Sequence, residues 1–383
     1  MNKFLLQKIL FVFVFLFSLK GFSQYYKLTD QAKISVLTCG SGNELYSIYG
    51  HTGLRVVDIS NNLDIVFNYG NFDFATDNFY LKFVKGDLQY FVSACSFQDF
   101  MYEYQVTNRQ VWEQNLLLSD IQKQQLFDEI NKTLFSNEKF YTYKFIDKNC
   151  TTMVLDKINS VFGSEIVTKK TNIDVSYRTI LYSFLDNHFW ENLGINIIFG
   201  HKVDNDAQKL FLPEELMSNI SASKFNNNPI AEKSIVLNKK ISETSSFSFW
   251  NSIYPYCMFL IFLVLFNKKY INLVYFTILG LIGIFFSTVG FYSFHEEIYW
   301  NYNVLLFNPS LLILIYFILQ KNKKWILNLG YFNLVCLGIY LILLLNKVHL
   351  TIMLPMIICS GTIIIRMILE NKKLLTSIKQ NRT

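Results

Sequence analysis

Two short segments carry residue types that together perform nucleophilic chemistry. In Tyr49-Gly50-His51-Thr52-Gly53, a histidine stands at the entry of a predicted strand between two glycines, where backbone or a ligand can approach closely. In Asp147-Lys148-Asn149-Cys150-Thr151-Thr152, Cys150 falls in the first turn of a predicted helix, and the positive helix N-terminus favours thiolate over thiol. A cysteine activated by an imidazole is a nucleophile for acyl groups. Backbone amides at the helix start are then oxyanion-hole candidates. Such an imidazole needs a polar partner to fix its tautomer. Period-two alternation puts Asp64, Val66 and Asn68 on one face of the returning strand. A turn centred near Ile59 and Ser60 sets Asn68 opposite His51, and Asp64 is the alternative. Spacing by itself is equally compatible with a cysteine and a histidine that never meet.

The elements that would position these groups are readable around them. Residues 32–38 have strand character, and 54–59 with 65–69 read as a hairpin around Asn61-Asn62. Ser119-Asp120-Ile121-Gln122 is a capping box opening a helix with apolar face Ile121, Phe127, Ile130 and Leu134. Val154, Ile158, Val161 and Phe162 give the Cys150 helix its apolar spacing. The domain is therefore expected to be α+β.

The 383 residues are 51% hydrophobic and 17% charged, too apolar for one ordinary soluble domain. Lys3 and Lys8, the short apolar run 9–19 and Gly21-Phe22-Ser23 predict a signal peptide over 1–23, cut before Gln24. That run is short for a span, which takes about 20 residues. An extracytoplasmic domain over 24–225 and an Asn- and Ser-rich linker over 226–249 follow. Apolar runs 250–266, 270–294, 304–320, 325–345 and 349–369 predict about five transmembrane helices within 250–370, then a tail over 371–383. Lys268, Lys269, Lys321, Lys323, Lys324, Arg366, Lys372 and Lys373 follow the odd-numbered runs, which puts those exits in the cytoplasm and the domain outside. The net charge of +6 thus reports topology and gives no sign of a nucleic-acid partner. Of six cysteines, Cys39, Cys95 and Cys150 lie in the domain; a Cys39–Cys95 bridge is open, and would leave Cys150 as the free thiol.

Further motifs stand in order: Leu37-Thr38-Cys39-Gly40-Ser41-Gly42, Tyr49-Gly50-His51-Thr52, Phe67-Asn68-Tyr69-Gly70-Asn71-Phe72-Asp73-Phe74, Asn108-Arg109-Gln110-Val111 and Asp147-Lys148-Asn149-Cys150. Together they resemble the Lnb N-terminal periplasmic domain family, and the order of His strand, polar strand and Asn-Cys helix start resembles the permuted NlpC-type branch of the papain-like fold. In the membrane part, His295, Asn301-Tyr302-Asn303 and Phe307-Asn308-Pro309 are similar to the family's outer loop, although His295-Glu296 stands where the family often has His-Pro. The resemblance implies a membrane thiol acyltransferase of the lipoprotein N-acyltransferase type. On that reading Cys150, His51 and Asn68 are catalytic, Asp64, Asn149 and Arg109 support them, and a phospholipid donates the acyl chain to a lipoprotein.

Other residues receive plainer readings. The aromatic run from Phe72 through Phe79, Tyr80 and Phe83 to Phe91 is expected as strand core, with an acyl-chain groove as the lesser reading. Arg109 is a structural anchor or a phosphate contact. His188 and His201 lack partners at metal spacing, and no nucleotide loop is present, so neither metal nor cofactor is expected. His295, Asn301, Asn303 and Asn308 are candidates for a lipid site at the outer membrane face. The competing function is a membrane-tethered cysteine peptidase or amidase on cell-wall peptides; a third reading is a non-enzymatic membrane scaffold.

Overall fold

The computed structural model describes residues 26–241 and 247–380, with side chains to 373. The expected signal peptide over 1–23 lies outside the described residues. The soluble part is α+β, built on a seven-stranded antiparallel sheet. Its strands are β1 (Lys33–Cys39), β2 (His51–Asp58), β3 (Leu63–Asn71), β4 (Gln89–Ser96), β5 (Val111–Asn115) and β6 (Phe140–Thr142), then a separate short hairpin of β7 (Lys224–Phe225) and β8 (Asn228–Pro229), and β9 (Ile235–Asn238). The order across the sheet is β6-β4-β3-β2-β1-β5-β9. Thus β9, inside the stretch read as a linker, extends the sheet by pairing with β5.

Both faces of the sheet are covered because its strands alternate apolar residues on each side. Ile34, Val36, Leu54, Val56, Phe67 and Tyr69 pack against helices Asp120–Phe135 and Cys150–Phe162. Leu37, Cys39 and Val66 pack the other way, on Phe100, Met101 and Tyr104 of helix Phe97–Val106. The Ser119–Gln122 capping box forms as expected. Ile121, expected on the buried face of that helix, is instead 81% exposed, and Leu126, Phe127 and Ile130 make the contact. A residue in the first turn overhangs the end of the sheet.

The membrane part corrects the expected count. Among the described residues, four stretches are long and apolar enough to cross a bilayer: Lys269–Phe291, Glu296–Leu319, Lys323–Leu344 and Leu350–Lys373. The first expected span is a helix of only 14 residues, Ile253–Phe266. At 1.5 Å per residue it reaches about 21 Å, short of a hydrocarbon core about 30 Å thick. It lies along the last helix, with the Cys359 thiol 3.7 Å from the Leu260 carbonyl. Small residues let the others pack closely: a Cβ on Gly283 would meet the Phe307 carbonyl oxygen at 1.8 Å.

The soluble domain is seated on one end of this bundle through a buried polar joint. Arg178 is fully buried; its Nε donates to Asp204 at 2.7 Å, and its Nη atoms donate to Asn196 Oδ1 and to the Phe199 and Gly200 carbonyls. Asp204 also accepts from Tyr302 Oη at 2.8 Å and pairs with Lys347 at 3.0 Å, both on the bundle side. Gly200 lies so close to the outer loop that a Cβ would meet the Tyr299 carbonyl oxygen at 2.0 Å.

Candidate functional site

The site is assembled where β2 begins and the Cys150 helix starts. Asn149 is the N-cap of that helix, accepting from the Thr151 and Thr152 amides at 2.9 and 3.0 Å, while Thr152 Oγ1 accepts from the Asn149 amide. Its side-chain amide donates to the Phe145 and Phe211 carbonyls. Asn149 is thus fully occupied in fixing the turn on which Cys150 is the first helical residue. Thr52, next to His51, joins the same corner: its Oγ1 lies 3.0 Å from Thr151 Oγ1.

His51 opens β2, and Gly50 before it has φ +81°, with its Cα so near β1 that a Cβ would meet the Cys39 carbonyl oxygen at 2.4 Å. Asn68 Oδ1 accepts from His51 Nε2 at 3.1 Å. The expected strand register is corrected by two residues: Asn68 pairs with Gly53, not His51. A 3-10 turn over Ile59–Asn61, with Asn62 in the left-handed region, lengthens the connection. The shift is even, so Asn68 and His51 keep a common face. The bare Gly53 between them lets the amide reach across. Asn68 Nδ2 donates to the Cys95 thiol at 3.5 Å.

With Nε2 engaged by Asn68, Nδ1 is the ring nitrogen left for Cys150, and the two groups lie close enough to shift each other's ionisation. Burial opposes both charges. Against it, the imidazolium beside it, the Thr52 backbone amide and the Thr151 hydroxyl hold the Cys150 thiol below its usual pKa. For His51, burial is likewise outweighed by Cys150 and Asn68, and its pKa is raised. Each shift favours the charged form of its group, the direction a nucleophilic thiolate requires. Cys39, which pairs with His51 across β1 and β2, contrasts with it: burial pushes its thiol up to about 12. All three domain cysteines are free thiols, so the Cys39–Cys95 bridge is not formed.

The other expected site residues are placed elsewhere. Asp64 makes a two-point ion pair with Arg55, both bonds 2.8 Å, at the opposite end of the hairpin from Cys150. Arg109 is buried; its Nε donates to the Gly40 carbonyl and its guanidinium lies over the Tyr104 ring, which makes it an anchor of the loop after β1. His295 Nε2 donates to the Phe83 carbonyl at 2.7 Å and does not reach the thiol. Asn301 and Asn303 turn their amides to the carbonyls of Asn196, Ile197 and Ile198, satisfying the end of a soluble-domain helix. Asn308 accepts from the Ser310 amide at 2.9 Å and starts the helix Ser310–Leu319. His295, Asn301 and Asn303 join domain to bundle, Asn308 stays within the bundle, and none lines the thiol.

Sequence reasoning missed two groups of neighbours. Tyr141 and Tyr143 flank the thiol across Gly70, which has φ +91° and sits with its Cβ position 3.8 Å from Cys150 Cβ. A cluster of charges ties the same corner to the outer loop: Lys144 and Lys202 pair with Glu296, and Lys202 and Lys209 pair with Asp147. Three residues before Cys150, Asp147 was visible in the motif, but its partners are distant in sequence. Among the described residues, no His, Cys, Asp and Glu cluster has metal-holding geometry.

Residues 20–182 match the family model of the Lnb N-terminal periplasmic domain. No curated protein and no solved structure matches the chain. The match contains both halves of the Cys150 and His51 pair and stops before the helices apolar enough to cross a bilayer. The chain is thus a membrane protein with a periplasmic domain, and that domain, over residues 20–182, is similar to the Lnb N-terminal periplasmic domain family.

Proposed function

We propose that this protein is a membrane thiol acyltransferase that N-acylates the terminal diacylglyceryl-cysteine of lipoproteins with an acyl chain from a phospholipid. One observation carries the reading: a Cys150 and His51 pair, with His51 oriented by Asn68, in a domain seated directly on apolar membrane helices. A peptidase of soluble peptides has no need of that seat.

The Cys150 thiolate attacks the ester carbonyl carbon. The carbon–oxygen bond to the glycerol breaks, His51 gives its Nδ1 proton to the leaving oxygen, and a thioester remains. The neutral imidazole next accepts a proton from the α-amine of the lipoprotein as that amine attacks the thioester carbonyl. An amide forms and Cys150 leaves as thiolate, restoring the starting pair. Amides at the start of the Cys150 helix are the candidate oxyanion donors, though Asn149 already holds those of Thr151 and Thr152. The backbone N–H of Thr52, directed at the sulfur, and that of Cys150 itself are the better candidates.

The same reading takes the domain as a permuted papain-like thiol domain, with no cofactor. It places the protein in the inner membrane with its C-terminus cytoplasmic, as the lysine distribution implies; the short helix Ile253–Phe266 then carries the chain across as a fifth pass beside the four long ones, with the bilayer thinned around it. Mass analysis of lipoprotein N-termini tests it, comparing cells with the gene, without it, and with Cys150→Ala. Triacylated termini are expected only in the first. Unchanged termini in all three would sink the reading.

A further inference from the structure

Of the aromatic residues expected as strand core, Tyr90 and Phe91 lie in β4, and the others form something else. Residues 79–85 make a short helix, Phe79–Lys85, with no buried residue; Tyr80 and Leu81 are 77% and 72% exposed, and Phe83 and Val84 are close to half exposed. Its C-terminal end is clamped to the segment that follows the second apolar helix. Phe294 N donates to the Lys85 carbonyl at 2.8 Å, Ser293 Oγ donates to the same carbonyl at 3.1 Å, and the His295 ring bonds the Phe83 carbonyl. Gly86, at φ +78°, lies against the His295 ring, where a Cβ would come within 3.0 Å of it. Since Lys269–Phe291 is long and apolar enough to cross a bilayer, residues bonded two to four positions past its end are held at the bilayer surface. Phe291 and Trp300, on either side of this clamp in sequence, are 89% and 88% exposed.

From this helix a run of touching rings leads inward. Phe83 stacks on Phe79 at 6.3 Å, Phe79 meets Phe72 at 5.9 Å, Phe72 meets Tyr90 at 5.4 Å, and Tyr90 stacks on Tyr143 at 4.5 Å. Tyr143 borders Gly70, which borders Cys150. An apolar wall therefore runs unbroken from the membrane surface to the thiol.

We propose that helix Phe79–Lys85 inserts its Tyr80, Leu81 and Val84 face into the outer leaflet, and that the ring wall behind it guides a lipid acyl chain to Cys150. The helix is continuous with the membrane helices through its clamp, so the surface it meets is lipid, and Lys82 suits an anionic headgroup region, while Lys85 is paired with Asp87. The guiding role deepens the acyl-transfer reading and rests on it; the insertion does not.

The test uses the full chain in vesicles of phosphatidylethanolamine and phosphatidylglycerol, with p-benzoylphenylalanine in place of Leu81 and, as reference, in place of Ile121, which is more exposed than Leu81. After illumination, mass spectrometry is expected to find phospholipid adducts at position 81 at least tenfold above position 121. Equal adducts, or adducts to protein instead of lipid, would overturn the insertion. In a second arm, Leu81→Asp with Val84→Asp is expected to lower acylation of Cys150 from vesicle lipid at least tenfold relative to its alkylation by iodoacetamide. An unchanged ratio would overturn the guiding role. If Cys150 of the parent protein is never acylated, the acyl-transfer reading fails while the adducts still decide the insertion.

Discussion

At the scale of single residues, the ionisation of Cys150 is the property most directly open to measurement. Burial opposes the thiolate, and the His51 imidazolium overcomes that opposition. A thiol held below its usual pKa is present as thiolate above that lowered value and loses it only as pH falls through it. Raised ionisation of His51 sets the upper edge of the paired state, since the imidazolium loses its proton as pH climbs through it. Alkylation of Cys150 by iodoacetamide should therefore persist below the pH at which ordinary thiols stop reacting. In His51→Ala the imidazolium is gone and burial acts alone, so the profile should move to higher pH; an unmoved profile would show that the two groups are not coupled. Turnover should fall by about 10² to 10⁴ in the same variant, the usual contribution of a general acid and base. The third residue offers a sharper contrast. Asn68→Ala should lower turnover by a smaller factor, because it orients His51 without exchanging protons. Asp64→Ala should keep turnover near the parent value, because its partner Arg55 lies at the far end of the hairpin and a part-exposed pair contributes only about 0 to 1 kcal/mol. The reverse ranking in a turnover assay would reassign the triad.

Among the elements, the Cys150 helix depends on Asn149 more than its place in a motif suggests. The side chain caps two amides and gives two donors to carbonyls, and all but the bond to Phe145 are buried. Losing an N-cap costs about 0.5 to 2 kcal/mol, and each orphaned buried carbonyl about 1 kcal/mol or more. Asn149→Ala should lower the thermal midpoint of the protein and slow Cys150 alkylation together; a slowed thiol with an unchanged midpoint would give Asn149 a chemical role instead. These elements also show where the chain was legible. The capping box at Ser119, the strand at 33–39 and the helix at Cys150 follow from local signals that the tertiary structure did not override. The hairpin register was missed by two residues because a 3-10 turn, a local choice of Asn61 and Asn62, decides it. The helix Phe79–Lys85 escaped because aromatic residues in sequence carry the same message whether their partner is a core or a bilayer. Asn301, Asn303 and Asn308 were visible as costly polar groups at a membrane face, yet the carbonyls they satisfy belong to other elements and could not be read from spacing.

For the whole molecule, the decisive question is what the membrane helices contribute beyond anchorage. The main core of the soluble domain is built from residues between Leu28 and Ala231 and includes none from the bundle. Its sheet and the Cys150 helix therefore do not need the bundle in order to pack. The joint is different: Arg178 and Asp204 are almost completely buried, and Asp204 takes Tyr302 and Lys347 from the bundle side as further partners. Removing one member of a buried pair costs about 3 to 5 kcal/mol. Arg178→Ala should thus loosen the seat, read as faster proteolysis between domain and bundle in detergent. Replacing residues 250–383 by one unrelated transmembrane helix makes the larger cut. It removes Glu296 and Glu297, which hold Lys144 and Lys202 beside the site, and the Ser293 to His295 clamp on the Phe79–Lys85 helix. Cys150 and His51 keep their own contacts, so the chimera should still react with iodoacetamide. Acyl transfer from vesicle lipid should be lost, because a lipid ester must come within about 3 to 3.5 Å of the thiolate in a fixed orientation. A single helix leaves the domain free to tumble above the surface. Full transfer by the chimera would mean that the bundle only tethers, and that the domain finds its lipid without being seated.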